Sequence, residues 1–142
     1  MGYGTVGSGV YEVIKKNQLS INKKVGQELK VQYVLDLREF PGDPVMDVLT
    51  HDFEDIIKDD EVKIVAEVMG GLHPAYEFTK RCLEAGKSVC TSNKELVAEH
   101  GAELIQIAKD HQVNYLFEAS VGGGIPCLRA VTDSLQANYI DS

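Results

Sequence analysis

Apolar positions along the chain repeat with two distinct periods. Val6, Val10, Val13 and Ile14 stand at i, i+4, i+7 and i+8, which predicts one face of a helix running to about Lys16. Gly9 weakens that helix slightly and is expected to let it approach a sheet closely. Asn17 to Glu28 is polar and mixed, and reads as the helix end and a connecting segment. Leu29 to Leu37 is β-rich and nearly continuously apolar, as a parallel strand covered on both faces would be. Pro41-Gly42-Asp43-Pro44 ends it with turn chemistry. Asp52 is placed to cap a short helix through Ile57, and Val62 to Val68 reads as a central strand ending at Gly70-Gly71.

The second half alternates in the same way. Pro74 sits where a helix favours its first residue, Ala75, Phe78, Cys82 and Ala85 follow a helical stripe, and Gly86 closes it. Ser88 to Cys90 predicts a short strand. Glu95 to Lys109 carries Val97, Gly101, Leu104, Ile105 and Ala108 on one helical face, and Val113 to Phe117 predicts another strand. Gly122-Gly123-Gly124 makes a mobile or tightly turned loop, Pro126 starts a last helix, and that helix fades by Asn138. Strands separated by helical crossovers imply an α/β fold: a Rossmann-type, doubly wound, mostly parallel sheet with helices on both faces. Residues 1–142 read as one such domain, with the first strand missing and both ends looking truncated.

Composition narrows the classes. An apolar fraction of 44% and a charged fraction of 25% are ordinary for a soluble domain, and the net charge of -8 argues against wrapping nucleic acid. Neither a membrane span nor a signal peptide is expected, which makes the cytoplasm the default location. Cys82, Cys90 and Cys127 lie far apart among apolar neighbours and read as small buried hydrophobes in a reduced compartment. His51, His73, His100 and His111 show no metal-ligand spacing.

Four stretches carry candidate chemistry. Gly2-Tyr3-Gly4-Thr5-Val6-Gly7 has the spacing of a loop that cradles a dinucleotide pyrophosphate on a helix N-terminus: Gly2 for the turn, Gly4 for close approach, Gly7 for packing of helix on sheet. A glycine-rich turn explains the same letters. Asp36 ends the second strand, where a carboxylate binds the ribose of NAD, and nearby Arg38 has the chemistry to grip the 2′-phosphate of NADP; the choice stays open, as does a solvated strand end. Gly70-Gly71 and Thr91-Ser92-Asn93-Lys94 follow strands at the carboxyl edge where such sheets bind ligands, although a turn, a helix cap and a surface lysine are the plain readings. Glu118 to Pro126, with its glycine run, suits a ligand, an ion or a hinge, against a flexible loop.

Together these blocks resemble one family. GxGTVGxGV from Gly2, EVMGG from Glu67, EAGKSVCTSNKELVAEHG from Glu84 and FEASVGGGIP from Phe117 look like the nucleotide-binding domain of homoserine dehydrogenase, across essentially the whole chain. The resemblance implies NAD(P)-dependent interconversion of L-homoserine and L-aspartate 4-semialdehyde, a branch step toward threonine, methionine and isoleucine. By motif, Tyr3, Thr5 and Val6 would touch the cofactor phosphates and Arg38 the 2′-phosphate. Lys94 would be one of two lysines near substrate and nicotinamide, while Ser92 departs from the alanine usual in that block. The family's monovalent cation site, commonly sodium, would fall on oxygens of Glu118, Val121, Gly123 and Ile125.

The resemblance also implies what this stretch lacks. The second lysine, the acidic substrate-binding groups and the dimerising sheet belong to a catalytic domain beyond it, so the isolated chain is expected to be inactive and its parent enzyme a homo-oligomer acting on a small molecule. The rivals are another Rossmann dehydrogenase, for instance one attacking a semialdehyde through a cysteine, and a non-catalytic dinucleotide-binding module.

Overall fold

The structure, a computed structural model, describes residues 1–134. Helix α1 (Thr5–Val25) is followed by strand β1 (Val34–Leu35), a 3-10 turn (Pro44–Val48), β2 (Leu49–Thr50), α2 (Phe53–Lys58), β3 (Ile64–Glu67), α3 (Ala75–Glu84), β4 (Ser88–Thr91), α4 (Lys94–Asp110), β5 (Tyr115–Leu116), α5 (Glu118–Val121) and α6 (Cys127–Ser134). All strand pairs are parallel: β1 with β2, and β3 with β4 with β5. No strand is assigned at the N-terminus, yet Met1 and Gly2 join the two sheets. The Gly2 amide donates to the Leu35 carbonyl at 2.8 Å, and on the other side the Val68 amide donates to the Met1 carbonyl at 3.0 Å. The spatial order is therefore β2, β1, Met1–Gly2, β3, β4, β5, a doubly wound order that reverses at the glycine loop.

The expected elements hold in kind, with differences in length that have physical causes. α1 does not stop near Lys16. It continues to Val25, where Gly26 at φ 79° closes it by donating to the Asn22 carbonyl. Leu29 to Leu37 is not a strand throughout; only Val34 and Leu35 are paired, since their partner β2 is two residues long and is preceded by the 3-10 turn, while the Leu29 backbone bonds to Asn22 and Gln18 of α1. β5 is likewise limited to Tyr115–Leu116, and the 3-10 turn, β2 and α5 were not foreseen. The expected close approach at Gly9 is absent, since a Cβ there meets nothing within 4 Å. Gly7 makes it instead. Asn138 lies outside the described residues.

Two apolar clusters hold the fold. Val65, Val89 and Tyr115 on one face of the sheet pack against Ala75, Cys82 and Leu83 of α3 and Leu96, Leu104 and Ala108 of α4. Tyr3, Tyr11, Val34 and Val45 form the second cluster, with Tyr3 edge-on to Tyr11 and Phe40. Cys82 is fully buried, as expected, whereas Cys90 and Cys127 are half-buried; all three are free thiols. Burial pushes the Cys82 thiol up to about 12. Among the described residues no helix is long and apolar enough to cross a membrane.

Candidate functional site

The glycine loop is shaped by two contacts. Gly2 has φ +90°, and a Cβ on it would press on Met69 and the Val68 carbonyl at 3.1 Å; a Cβ on Gly7 would meet the Gly2 carbonyl oxygen at 2.1 Å. Only glycine allows that approach of helix to turn. Gly4 differs: it is the N-cap of α1, and a Cβ there meets nothing within 4 Å. Exposed Thr5 and Val6 start a 21-residue helix whose first turn carries neither a side-chain cap nor an acid, an arrangement that fits a pyrophosphate.

Asp36 closes the loop from the next strand. One of its oxygens, Oδ2, accepts from the Tyr3 amide at 2.8 Å and from Arg38 Nη2 at 2.9 Å, while Oδ1 accepts from Arg38 N at 3.0 Å and Arg38 Nε at 2.9 Å. The Arg38 bonds, aided by both amides and opposed by burial, hold this carboxyl far below the usual carboxylate range. The Arg38 side chain remains 62% exposed, with its guanidinium 5.2 Å from the Phe40 ring centre. Tyr3 is thus committed twice. Its amide goes to Asp36 and its hydroxyl donates to the Asp43 carboxylate at 3.2 Å, so its side chain stands in the second apolar cluster.

The next two turns are tied together from beneath. Glu67, fully buried at the end of β3, accepts from the Met69 amide at 2.8 Å and from the Thr91 hydroxyl at 2.5 Å. The Thr91 oxygen accepts from the Asn93 amide at 2.9 Å, and Asn93 Nδ2 donates to the Gly71 carbonyl at 2.6 Å. Gly70 and Gly71 take φ of 86° and 72°. Thr91, foreseen as a cofactor contact, is buried and supports the edge from below. Ser92 is half-buried, with its amide on the Glu67 carbonyl. Lys94, the first residue of α4, is exposed, and no ion pair engages it among the described residues.

Sequence reasoning missed Glu67 as a site residue and left Asn93 open between a helix cap and a polar group at the ligand-binding edge. The signals were a lone carboxylate inside an apolar strand and an asparagine between strand and helix. At the end of the row, α5 packs on α4 and β4. Glu118 there accepts from the Leu128 and Arg129 amides at 2.8 and 3.1 Å, capping α6. The carbonyls of Val121, Gly123 and Ile125 accept no backbone hydrogen bond among the described residues.

The sequence profile of the NAD-binding domain of homoserine dehydrogenase matches residues 2–118. The chain belongs to this family. It is 37% identical to homoserine dehydrogenase of Lactococcus lactis over 99% of its own length, and 39% identical to that of Helicobacter pylori, also over 99%. It spans about a third of those relatives, 34% and 33% respectively. Among solved structures, homoserine dehydrogenase from Thiobacillus denitrificans superimposes with a TM-score of 0.85 at 37% identity, over 96% of this chain and 32% of that one. A hyperthermophilic archaeal homoserine dehydrogenase mutant in complex with NADPH gives 0.77 at 25% identity, over 96% of this chain and 47% of that one. The doubly wound Rossmann reading and the NAD-binding role of the family stand on these matches together with the strand order.

Proposed function

We propose that this chain forms the dinucleotide-binding part of an enzyme interconverting L-homoserine and L-aspartate 4-semialdehyde, with NADP as its preferred dinucleotide. The observation that carries the preference is the pairing of Asp36 with Arg38. A carboxylate already accepting from Tyr3 N and Arg38 is poorly placed to accept from a ribose 2′-hydroxyl, while the fork it orients presents a fixed cation to a 2′-phosphate.

The reading extends to the rest of the edge. When bound, the nicotinamide supplies hydride transfer to or from the carbonyl carbon. The α1 N-terminus and Gly4 hold the pyrophosphate, with Thr5 and Val6 supplying amides. Gly70-Gly71 and Ser92 shape the wall beside it, and Lys94 gives or takes the proton at the substrate hydroxyl. Carbonyls of Val121, Gly123 and Ile125, with Glu118, suit a hard monovalent cation such as sodium. The remaining substrate groups and the subunit contacts of a homo-oligomer fall to parts of the relatives outside the third spanned here, in a cytoplasmic biosynthetic enzyme.

Titrating the 142-residue chain with NADPH and NADH, followed by reduced-nicotinamide fluorescence, tests the reading. NADPH is expected to bind at least tenfold more tightly, and Arg38→Ala to remove that difference by weakening NADPH alone. Equal affinities in the unsubstituted chain would overturn the preference, and no binding of either would overturn the dinucleotide role of the isolated chain.

A further inference from the structure

The cationic corner after β1 is neutralised from within. Arg38 gives Nε and Nη2 to the two oxygens of Asp36 at 2.9 Å each, and its guanidinium lies 5.2 Å from the Phe40 ring centre. The two side chains together carry no net charge. A 2′-phosphate approaches a dianion at neutral pH, since its second ionisation lies at about pH 6. One guanidinium already matched by a carboxylate leaves much of that charge uncompensated.

A second group stands at the same corner. His51 follows β2 directly, and its Nδ1 lies 2.6 Å from the carbonyl oxygen of Asp36. The strands meet there, because the Asp36 amide donates to the Thr50 carbonyl at 3.2 Å. A carbonyl only accepts, so Nδ1 carries the hydrogen and Nε2 keeps the lone pair. The residue is exposed, and no hydrogen bond or ion pair engages Nε2 among the described residues.

The carboxylates on the neighbouring elements have other partners. Asp52 caps α2 through the Glu54 amide at 2.8 Å, Asp55 accepts from the Thr50 hydroxyl at 2.5 Å, and Glu54 pairs with Arg81 and Lys58. Asp43 accepts from the Tyr3 hydroxyl and the Val45 amide. Glu39 and Asp47 are exposed. None of these acids pairs with His51 among the described residues, so a bound anion is what decides the charge of its ring.

We propose that His51 is a specificity-determining residue, which takes a proton from solvent onto Nε2 when a 2′-phosphate docks and pairs with that phosphate beside Arg38. The inference rests on the NADP reading above. It divides the preference in two: Arg38 supplies a share independent of pH, and His51 a share that grows as protons become available. Because the complex holds more protons than its separated partners, NADPH affinity rises as pH falls from about 8 toward 6.5. NADH has no 2′-phosphate and takes up no proton at this corner.

Calorimetric titration of the 142-residue chain with NADPH and NADH, in buffers of different ionisation enthalpy, counts the protons. At about pH 7.5 NADPH is expected to take up roughly half a proton or more and NADH none; from about pH 8 to 6.5 NADPH affinity should rise at least about threefold while NADH stays flat. His51→Asn keeps a side-chain N–H for the Asp36 carbonyl but has no second ring nitrogen, so it should abolish the uptake and flatten the NADPH profile. Nitrogen-15 spectra of the ring read the same step directly: an Nδ1–H tautomer in the free chain, an imidazolium with NADPH. An NADPH preference without proton uptake, or with uptake unchanged in His51→Asn, overturns this inference and leaves the NADP reading standing. Equal affinities for the two dinucleotides, or no binding of either, overturn both.

Discussion

Asn93 binds the Gly71 carbonyl through its side-chain nitrogen at 2.6 Å and the Leu96 amide through its side-chain oxygen at 3.1 Å. One residue thus caps α4 and fixes the turn after β3, so the two loops move as a unit. Asn93→Ala removes both bonds. A lost N-cap costs about 1 kcal/mol and an unpaired carbonyl adds about as much. Urea denaturation is expected to show a loss of about 2 kcal/mol; a loss near zero would mean that water replaces the side chain at no cost.

Gly4 and Gly7 separate ligand effects from folding effects. Gly7→Ala forces a methyl into the Gly2 carbonyl, so it should lower Tm sharply and abolish dinucleotide binding. Gly4→Ala has room and an ordinary φ of -85°, so stability is expected to change by less than about 1 kcal/mol while NADPH affinity falls at least tenfold. Thermal melts with and without NADPH read both. A Gly4→Ala chain that binds normally would show that backbone at this position does not touch the phosphates.

How far the sequence disclosed this follows from what patterns encode. Spacing of apolar residues reports burial, so α3, β4 and α4 were legible within a few residues. Pairing is another matter. Leu29 to Tyr33 is apolar enough for a strand, but the Leu29 backbone is held by Asn22 and Gln18 of α1 and only Val34 and Leu35 pair with β2. The second half of α1 was invisible for the opposite reason: Leu19 is 88% exposed and no stripe continues, and the helix is carried by its left-handed Gly26 closure. At the site, residue types named the edge, but only geometry shows that Thr91 supports it and that Asp36 is engaged by Arg38.

The same Asp36 predicts an acid dependence. Its folded pKa is depressed, chiefly by the Arg38 side chain, so its contribution is present above the unfolded carboxylate value of about 4 and is lost as pH falls through the folded value. Denaturation midpoints should therefore drop as pH is lowered from about 4 toward 2. Asp36→Asn is expected to be less stable at pH 7 by about 1–3 kcal/mol and to show a shallower acid slope. Parallel slopes for the two chains would remove Asp36 from the account.

Cys82 bears on the rival chemistry in which a thiolate attacks an aldehyde. Its thiol is fully buried in the main apolar cluster and pushed up to about 12 by desolvation. At pH 8 it is a thiol, not a nucleophile. A disulfide reagent should accordingly modify the half-buried Cys90 and Cys127 before Cys82, with Cys82 reacting at the rate of global unfolding and accelerating as urea is added. Mass-mapped labelling over time distinguishes the three. Rapid modification of Cys82 in the native chain, unaffected by urea, would reopen a cysteine mechanism and place a solvent path through α3 that the packing does not contain.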